Sequence, residues 1–201
     1  MMKQLLSLAL CATLAPTAAA CAEESRVLVA YFSRAGENYS VGVIEKGNTE
    51  ILAGLIAEET GAELFAITPA KPYPENYDET LTRATEEAEA DARPEMAQTL
   101  EKLDAYDVIF VGYPIWWGGV PMILHTFFES VDFTGKTVIP FNTHEGSGQG
   151  GTVTQLRAAL PNATVLDGFA VRGATAQQDV KAARKAVTDY LATIELPSSS
   201  K

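Results

Sequence analysis

Short apolar runs and amphipathic stretches alternate along the chain. Residues 26–32, 108–112 and 138–141 form apolar runs, a pattern typical of strands that are buried on both faces of a sheet. Two weaker runs, at residues 64–67 and 165–171, predict further strands. We therefore predict five strands, counted in sequence order.

Helical periodicity fills the intervals between these strands. Apolar residues from Ile51 to Ile56 recur at helical spacing, and Gly61 is placed to end this helix after Thr60. A Pro-rich turn after the second strand leads into a Glu- and Ala-rich helical stretch that Pro94 is expected to interrupt. A helix through Leu124, Phe127 and Phe128 is predicted after the third strand, and another, up to about Leu160, after the fourth. A last helix ends the domain, and its inward-facing residues are Val180, Ala183, Val187, Leu191 and Ile194.

This alternation predicts the α/β class, with a parallel sheet and helices on both of its faces. Ligands of such sheets bind outside the carboxyl ends of the strands, where the winding reverses. Three loops of unusual composition follow strands one, three and four. We expect all three at that edge.

The N-terminus has the pattern of a secretory signal. A positive start at Lys3 precedes an apolar stretch from Leu5 to Leu14, and three alanines precede Cys21. Because a membrane-spanning helix needs about 20 apolar residues, this interrupted stretch is too short to be one. We predict a signal peptide at residues 1–20 and one domain at 26–196, exported to the periplasm or lipid-anchored to a bacterial membrane.

Cys21 has two interpretations. The segment Ala18–Cys21 resembles a bacterial lipoprotein processing site, in which the cysteine carries the lipid, although Ala18 stands where Leu is usual. The alternative is ordinary cleavage at an A-x-A site, which leaves Cys21 incidental. In both cases Cys11 departs with the signal, so the mature chain cannot form an internal disulfide.

The charge of the mature chain narrows the range of partners. Removal of Lys3 with the signal leaves 14 of the 15 Lys and Arg residues against 26 Asp and Glu, a formal net charge of −12. Nucleic acids and anionic membrane surfaces repel such a protein. Membrane association is expected only through a lipid at Cys21, and the charge indicates a basic partner or simply solubility.

The loop after the first strand contains two flanks that suit a phosphate group. Residues 33–36 (Ser-Arg-Ala-Gly) and 47–49 (Gly-Asn-Thr) offer hydroxyls, an amide and exposed backbone N–H groups at a helix N-terminus. Gly-Asn-Thr is also an ordinary start of a helix, and Arg34 is equally able to point to solvent. Residues 37–46 separate the flanks and are interpreted as an excursion, since loop closure costs only about 0.6 kcal/mol per doubling of length.

The other two loops favour a flat ligand. Residues 113–119 (YPIWWGG) hold both tryptophans of the chain, and either one of them stacks on an aromatic ligand or both serve in packing. Residues 146–151 formally satisfy G-x-G-x-x-G, but that dinucleotide fingerprint belongs to the first β-α turn. The glycines here instead allow the backbone to approach the edge of a ring. The sequence leaves open whether His144, in the same loop, contacts the ligand.

Other enzyme classes lack the residues that they need. Two histidines and at most one mature cysteine fall short of a usual zinc site. Ser147 lies near His144, but no G-x-S-x-G elbow follows a strand. Residues 135–137 (Gly-Lys-Thr) precede a strand and lack the earlier glycine of a nucleotide P-loop.

The elements "YFSR", "GNT", "GYPIWWG" and "THEGSG", in this order, resemble the flavodoxin family and, more narrowly, its flavodoxin-like FMN-binding branch. The resemblance extends from Arg26 to about Leu191. It implies a flavodoxin-like three-layer sandwich around a five-stranded parallel sheet in the order 2-1-3-4-5, with FMN as the cofactor. The first loop differs from the compact family motif S/T-x-T-G-N-T, because Ala35 replaces the middle threonine and ten residues separate the halves.

The resemblance also implies which residues bind the cofactor, while no catalytic or metal-binding residue is implied. The phosphate would be held by Ser33, Arg34, Gly36, Asn48 and Thr49. The ring would be flanked by Pro114, Ile115, Trp116, Trp117 and Gly118, and its other edge approached by Thr143, Glu145, Gly146, Ser147 and Gly148.

Three functions remain open at this point. The first is FMN-dependent electron transfer with a redox partner protein. The second is an FMN-dependent NAD(P)H:quinone-type oxidoreductase with a small-molecule acceptor, in which Tyr39, Val43 and Ile44 wall a substrate site. The third is an exported binding module whose flavodoxin-like fold carries no flavin.

Overall fold

A parallel sheet of six strands forms the centre of the molecule within residues 26–196, which are the residues that the computed structural model describes. The predicted signal peptide and Cys21 lie outside them. The strands are β1 (Val27–Tyr31), β2 (Gly36–Asn38), β3 (Gly42–Ile44), β4 (Glu63–Ala66), β5 (Val108–Pro114), β6 (Thr137–His144), β7 (Thr164–Val165) and β8 (Phe169–Arg172). The helices are α1 (Asn48–Thr60), α2 (Tyr77–Glu89), α3 (Met122–Ser130), α4 (Thr152–Ala159), α5 (Gly173–Gln178) and α6 (Val180–Leu191).

The order of the sheet confirms the predicted topology. β1 lies between β4 and β5, β6 follows β5, and all these pairs are parallel. The sequence of neighbours β4-β1-β5-β6 corresponds to the predicted order 2-1-3-4. β2 and β3 pair only with each other, as an antiparallel hairpin.

The expectation of five strands was wrong at the last position, where two short strands share the edge. β7 pairs with the beginning of β6, and β8 pairs with its end. The carbonyl of Val138 accepts a hydrogen bond from Leu166, so Pro140, two residues further along, also turns its backbone toward this edge. Proline has no N–H to donate, and a Cβ at Gly168 would lie 1.8 Å from the Pro140 oxygen. The ladder is interrupted there.

Two hydrophobic layers cover the sheet. On one face the strand residues Val29 and Phe110 pack with Leu52 and Ile56 of α1 and with Val187 of α6. On the other face, residues of β1, β5 and β6 pack with α3 and α4; these include Leu28, Ile109, Val111, Val138, Ile123, Leu124, Phe127 and Leu156. Successive strand residues alternate between the faces, which gives the expected three-layer sandwich.

The helix ends follow the sequence in part. Gly61 ends α1 with a φ of 70°, as predicted. Helix α2 already ends at Glu89, so Pro94 interrupts no helix. Val180 was predicted to face inward but is 45% exposed, because it is the first residue of α6, directly after the Asp179 cap. No helix among residues 26–196 is long and apolar enough to cross a membrane.

Candidate functional site

A cleft opens at the carboxyl ends of β1, β5 and β6, with a volume of about 200 Å³. Its walls come from the loops after these three strands, from the β2–β3 hairpin and from α2. The lining residues are Arg34, Asn38, Tyr39, Asn48, Tyr77, Thr80, Leu81, Ala84, Pro114, Ile115, Trp116, Trp117, Thr143, His144 and Glu145. The three loops expected at this edge therefore meet at one site.

The two separated halves of the first loop are in direct contact. Gly47 packs so closely that a Cβ there would lie 2.1 Å from the Ser33 hydroxyl oxygen and 2.8 Å from the Arg34 carbonyl oxygen. The Ser33 hydroxyl accepts a hydrogen bond of 3.1 Å from the backbone N–H of Glu50 and so caps α1 from outside the helix. The two halves of the loop therefore meet at the N-terminus of α1, although the hairpin separates them in the sequence.

Arg34 brings a positive charge to this end of the cleft. Its guanidinium donates to the carbonyls of Pro74 at 2.9 Å and Glu75 at 3.2 Å, and also to that of Glu37. Among residues 26–196 it forms no ion pair. Partial burial lowers the pKa of Arg34 from its usual range, opposed by the charge of Glu37, and an arginine stays protonated in proteins. A cation bound only to neutral carbonyls keeps its charge available for an anionic ligand.

Asn48 and Thr49 use their side chains to hold α1 in place. The Thr49 and Thr143 hydroxyls share a buried hydrogen bond of 2.8 Å. The Asn48 side-chain oxygen accepts a hydrogen bond of 2.8 Å from Gln177. In the described part of the chain, the backbone N–H groups of Asn48 and Thr49 have no acceptor. These two residues therefore offer an anion backbone N–H groups at a helix N-terminus rather than side chains.

The two tryptophans have different environments. Trp116 packs edge-on against Phe32 and Tyr73, with ring centroids 5.4 Å and 5.0 Å apart. Trp117 is 68% exposed and lines the cleft. The sequence left open whether these residues serve packing or a ligand; in the structure Trp116 serves packing, and Trp117 is available to a ligand.

A strained tight turn presents Trp117. Trp116 and Gly119 exchange backbone hydrogen bonds of 3.1 Å and 2.8 Å, and the residues between them, Trp117 and Gly118, have φ values of 50° and 75°. Positive φ at both central positions is the pattern of a type I′ turn. For a non-glycine residue this conformation costs about 1–2 kcal/mol. Strain of this kind is typical of ligand-binding positions.

His144 organises the third loop. Its Nδ1 atom accepts hydrogen bonds from the backbone N–H groups of Gly146 at 2.9 Å and Gly148 at 3.1 Å. Burial and the charge of Arg172 lower the pKa of His144 below its usual 6.5, while Glu145 opposes the shift. The imidazole is therefore neutral at neutral pH, with its proton on Nε2.

Glu145 and Asn48 meet at the start of α5. The Glu145 carboxylate accepts a hydrogen bond of 2.8 Å from the backbone N–H of Ala174. A Cβ at Gly173 would lie 2.2 Å from the Asn48 amide nitrogen and 2.7 Å from the Glu145 carboxylate. Gly173 therefore allows the first and third loops to pack together behind the cleft.

The predicted site residues divide into two groups. Those that line the cleft are Arg34, Asn48, Pro114, Ile115, Trp116, Trp117, Thr143 and Glu145. Those that belong to the same loops without lining it are Ser33, Gly36, Thr49, Gly118, Gly146, Ser147 and Gly148. Three further residues were named in the sequence analysis outside the predicted cofactor-binding set: Gly47 as part of the second phosphate flank, His144 as an open question, and Tyr39 as a wall of a substrate site in the oxidoreductase alternative. The set also lacked Asn38 of the hairpin and the α2 residues Tyr77, Thr80, Leu81 and Ala84.

The α2 side of the cleft, which the predicted set omitted, had one local signal in the sequence. Residues 72–77 (Pro-Tyr-Pro-Glu-Asn-Tyr) place two prolines before Asn76, whose side chain caps α2. That run fixes the start of α2, but only the hydrogen bonds across about 40 residues show that it lies beside the hairpin.

Comparisons with known proteins agree with this fold. The model of the flavodoxin family matches residues 26–187. No curated protein matches the chain.

Solved structures share the fold over most of the chain. A candidate flavoprotein of Bacteroides eggerthii DSM 20697 is 31% identical, with a TM-score of 0.67 over 85% of this chain and 99% of that one. A candidate flavoprotein of Bacteroides uniformis ATCC 8492 is 32% identical, with a TM-score of 0.64 over 79% and 99%. The flavoprotein of Lactobacillus acidophilus NCFM, solved in complex with FMN, is 19% identical, with a TM-score of 0.60 over 75% and 95%; it shows the shared fold.

Proposed function

Because the chain belongs to the flavodoxin family, we propose that it binds FMN in this cleft and transfers electrons with it. One observation carries the proposal: a single cleft joins an anion-binding end, at Arg34 and the start of α1, to an aromatic end at Trp117. FMN has a phosphate and a flat ring at its two ends. The FMN complex of the Lactobacillus acidophilus flavoprotein, which shares the fold, supports this choice.

The residues of the anion-binding end fit a phosphate. Free backbone N–H groups of Asn48 and Thr49 stand at the positive end of the α1 dipole. Arg34 adds a full charge with no carboxylate within ion-pair distance in the described part of the chain. Ser33 and Gly47 hold the two halves of the loop together, so the donors are preorganised.

The residues of the aromatic end fit a ring. Trp117 offers an exposed indole face, and the turn that carries it is fixed by two backbone hydrogen bonds. The third loop also reaches this cleft, through Thr143, His144 and Glu145, and the hydrogen bonds from the backbone N–H groups of residues 146 and 148 to His144 hold the loop in shape.

FMN supplies the redox chemistry when bound, and the chain sets where it lies and how readily it is reduced. Exposed carboxylates at Glu37, Glu75 and Asp78 surround the hairpin and the start of α2. Negative charges near the cofactor disfavour added negative charge on it and lower its reduction potential, which suits an electron donor. No acid or base from the chain is needed for electron transfer, and the Nδ1 atom of His144 is already occupied.

The predicted N-terminal signal extends this proposal to the location of the protein. We propose export, with Cys21 either lipidated or incidental. A lipid on Cys21 would place the redox site at a membrane surface, and an unmodified Cys21 would leave the exported protein in solution.

The test is a redox measurement on purified protein that has been reconstituted with FMN. We expect a bound flavin spectrum that dithionite bleaches and that ferricyanide restores, with a potential below that of free FMN. A spectrum and a potential equal to those of free FMN would support the alternative of a binding module without flavin.

A further inference from the structure

The tryptophan loop, residues 114–119, is attached at both of its ends to the same helix, α4. Tyr113 comes just before the loop, and its hydroxyl donates a buried hydrogen bond of 3.0 Å to the Thr152 hydroxyl. Val120 comes just after the loop, and its backbone N–H donates to the Gln155 side-chain oxygen at 3.1 Å. Thr152 and Gln155 are three residues apart, so they are neighbours on the surface of α4. One helix therefore holds both ends of the loop.

The contact at the start of the loop is buried. Tyr113 is 1% exposed, and Thr152 is fully buried. Burial raises the pKa of Tyr113 to about 12, so its hydroxyl remains a hydrogen-bond donor at neutral pH. The Thr152 hydroxyl in turn donates to the Gln149 carbonyl at 2.6 Å. These bonds fix the start of α4 relative to the end of β5.

The contact at the end of the loop lies directly against the strained turn. A Cβ at Gly119 would lie 3.3 Å from the side-chain oxygen of Gln155 and 3.4 Å from its nitrogen. A Cβ at Gly150, two residues before α4, would lie 3.2 Å from the Gly118 carbonyl oxygen. The backbone of the turn is therefore packed against α4 and against the residues that lead into it.

This support matters because of the backbone conformation of Trp117. Its φ of 50° is unfavourable for a residue other than glycine, and such conformations persist only where the surrounding structure fixes them. Thr152 and Gln155 lie outside the lining of the cleft. Their effect on a ligand in the cleft must therefore pass through the tryptophan loop.

We propose that Thr152 and Gln155 are positioning residues that hold Trp117 in place for the flavin ring, an inference that rests on the proposed function. We name this pair the α4 clamp. Because the third loop leads directly into α4, the clamp also joins the second and third loops of the cleft into one unit. A ring site that is ordered before the ligand arrives loses less entropy on binding.

The first test of the clamp needs no flavin. Gln155→Met keeps the length of the side chain and removes the acceptor, so the Val120 amide should exchange hydrogen with solvent about two- to twelvefold faster. Gln155→Glu keeps an acceptor and should restore the wild-type rate. The control Thr154→Ala changes the exposed neighbour of Gln155 and should leave the rate unchanged. Hydrogen exchange followed by NMR measures all three, and an unchanged rate in Gln155→Met would overturn the clamp.

The second test measures the effect of the clamp on the ring site. Riboflavin is the probe, because it carries the ring without the phosphate and is uncharged, so the added charge of Gln155→Glu has little effect on it. We expect Gln155→Met to weaken the Kd for riboflavin by about two- to twelvefold, which is the loss of one hydrogen bond. Gln155→Glu and Thr154→Ala should keep the wild-type Kd. Tyr113→Phe removes the contact at the other end of the loop and should weaken the Kd in the same direction.

A double-mutant cycle separates positioning of Trp117 from a general structural role. Trp117→Gly removes both the strained conformation and the stacking ring. In that background Gln155→Met should have no further effect on the Kd for riboflavin. Additive effects of the two substitutions would show that Gln155 acts through another group and would overturn the proposal.

The binding results also distinguish this inference from the proposed function. If the wild type binds FMN and riboflavin, and Gln155→Met binds riboflavin equally well, the clamp is overturned and the proposed function stands. If the wild type binds neither flavin, the proposed function falls, and the positioning role falls with it.

Discussion

The two ends of the cleft are fixed in different ways. At the phosphate end, Arg34, Ser33 and Glu37 bind backbone groups of other segments, and the absence of a side chain at Gly47 allows the two halves of the loop to pack together. At the aromatic end, a four-residue turn holds Trp117 in an unfavourable backbone conformation with local backbone hydrogen bonds. One end is therefore held by long-range polar contacts, and the other by a short strained turn.

This difference predicts how each end responds to mutation. Long-range contacts support both the ligand and the fold, so their loss should weaken FMN binding together with local structure. Strain opposes folding, so its relief should stabilise the protein while it weakens ligand binding. The following predictions test this contrast, beginning with the largest effect.

Trp116→Ala should give the largest loss of stability. Trp116 packs against Phe32 and Tyr73, and removal of a partly buried indole should lower the free energy of unfolding by about 2–4 kcal/mol. Trp117→Ala is the matched control: the neighbouring tryptophan is mostly exposed, and its loss should change stability by less than about 0.5 kcal/mol. Urea denaturation measures both, and equal effects would contradict the division of roles between the tryptophans.

Arg34→Met should weaken FMN binding through the phosphate. The loss of a charged hydrogen-bond donor is worth about 1.5–3 kcal/mol, or about 10- to 150-fold in Kd. Riboflavin, which lacks the phosphate, should bind the variant and the wild type equally. If riboflavin binding falls as much as FMN binding, Arg34 supports only the hairpin.

Gly47→Ala should drive the halves of the phosphate loop apart. The added methyl overlaps the Ser33 hydroxyl and backbone atoms of Arg34, and overpacking of this kind costs about 1–3 kcal/mol. We expect lower stability and weaker FMN binding. Gly54→Ala is the control within α1, the helix that begins directly after Gly47, and the nearest atom to an added Cβ there is a lysine nitrogen at 4.0 Å. That control should be neutral or slightly stabilising, and calorimetry with FMN compares the two.

Trp117→Gly should move stability and affinity in opposite directions. Relief of the strain from the positive φ at Trp117 should raise the free energy of unfolding by about 1–2 kcal/mol. The greater backbone entropy of glycine in the unfolded chain lowers it by about 0.5–1 kcal/mol. We expect slightly higher stability and FMN binding about two- to twelvefold weaker, since a stacking contact is lost. Trp117→Phe keeps a ring and should retain most of the affinity. A stable Trp117→Gly protein with unchanged FMN affinity would exclude Trp117 from the ring site.

The smallest effect concerns the pH response of the third loop. The folded protein lowers the pKa of His144 below 6.5, so the unfolded state binds the proton more readily. The stability from the two Nδ1 hydrogen bonds is therefore complete above about pH 6.5 and is lost as the pH falls through the lower folded-state pKa.

His144→Gln should remove that part of the acid sensitivity. The pKa of His125 is also lowered, by burial and Arg93, so the difference between the variant and the wild type isolates His144. Urea denaturation between pH 5 and 8 measures it. Parallel stability profiles would contradict a structural role for the neutral imidazole.

The sequence predicted the layers of the sandwich better than the walls of the cleft. Apolar runs and loop composition were sufficient for the α/β class and for the edge where ligands bind, because these depend on local periodicity and on the handedness of β-α units. The order of the first four strands came from the family resemblance. The split of the last strand depends on contact between Pro140 and Gly168, which periodicity does not reveal.

The attachment of the hairpin to α2 was beyond sequence reasoning for a similar reason. The partners of this hairpin at residues 74–77 lie about 40 residues away in the sequence, where no local pattern reveals the contact. The interpretation as a simple excursion overlooked Glu37, whose carboxylate and backbone attach the hairpin to α2. The choice between the tryptophans likewise depended on Phe32 and Tyr73, which come from other segments.

The central claim is that one cleft holds both ends of FMN. The most direct test titrates the purified protein in parallel with FMN and riboflavin and follows the quenching of flavin fluorescence. We expect saturable quenching by both flavins at one site, with FMN bound tighter by about tenfold or more because only FMN engages Arg34 and the start of α1. Unquenched FMN fluorescence, or equal affinity for the two flavins, would contradict it.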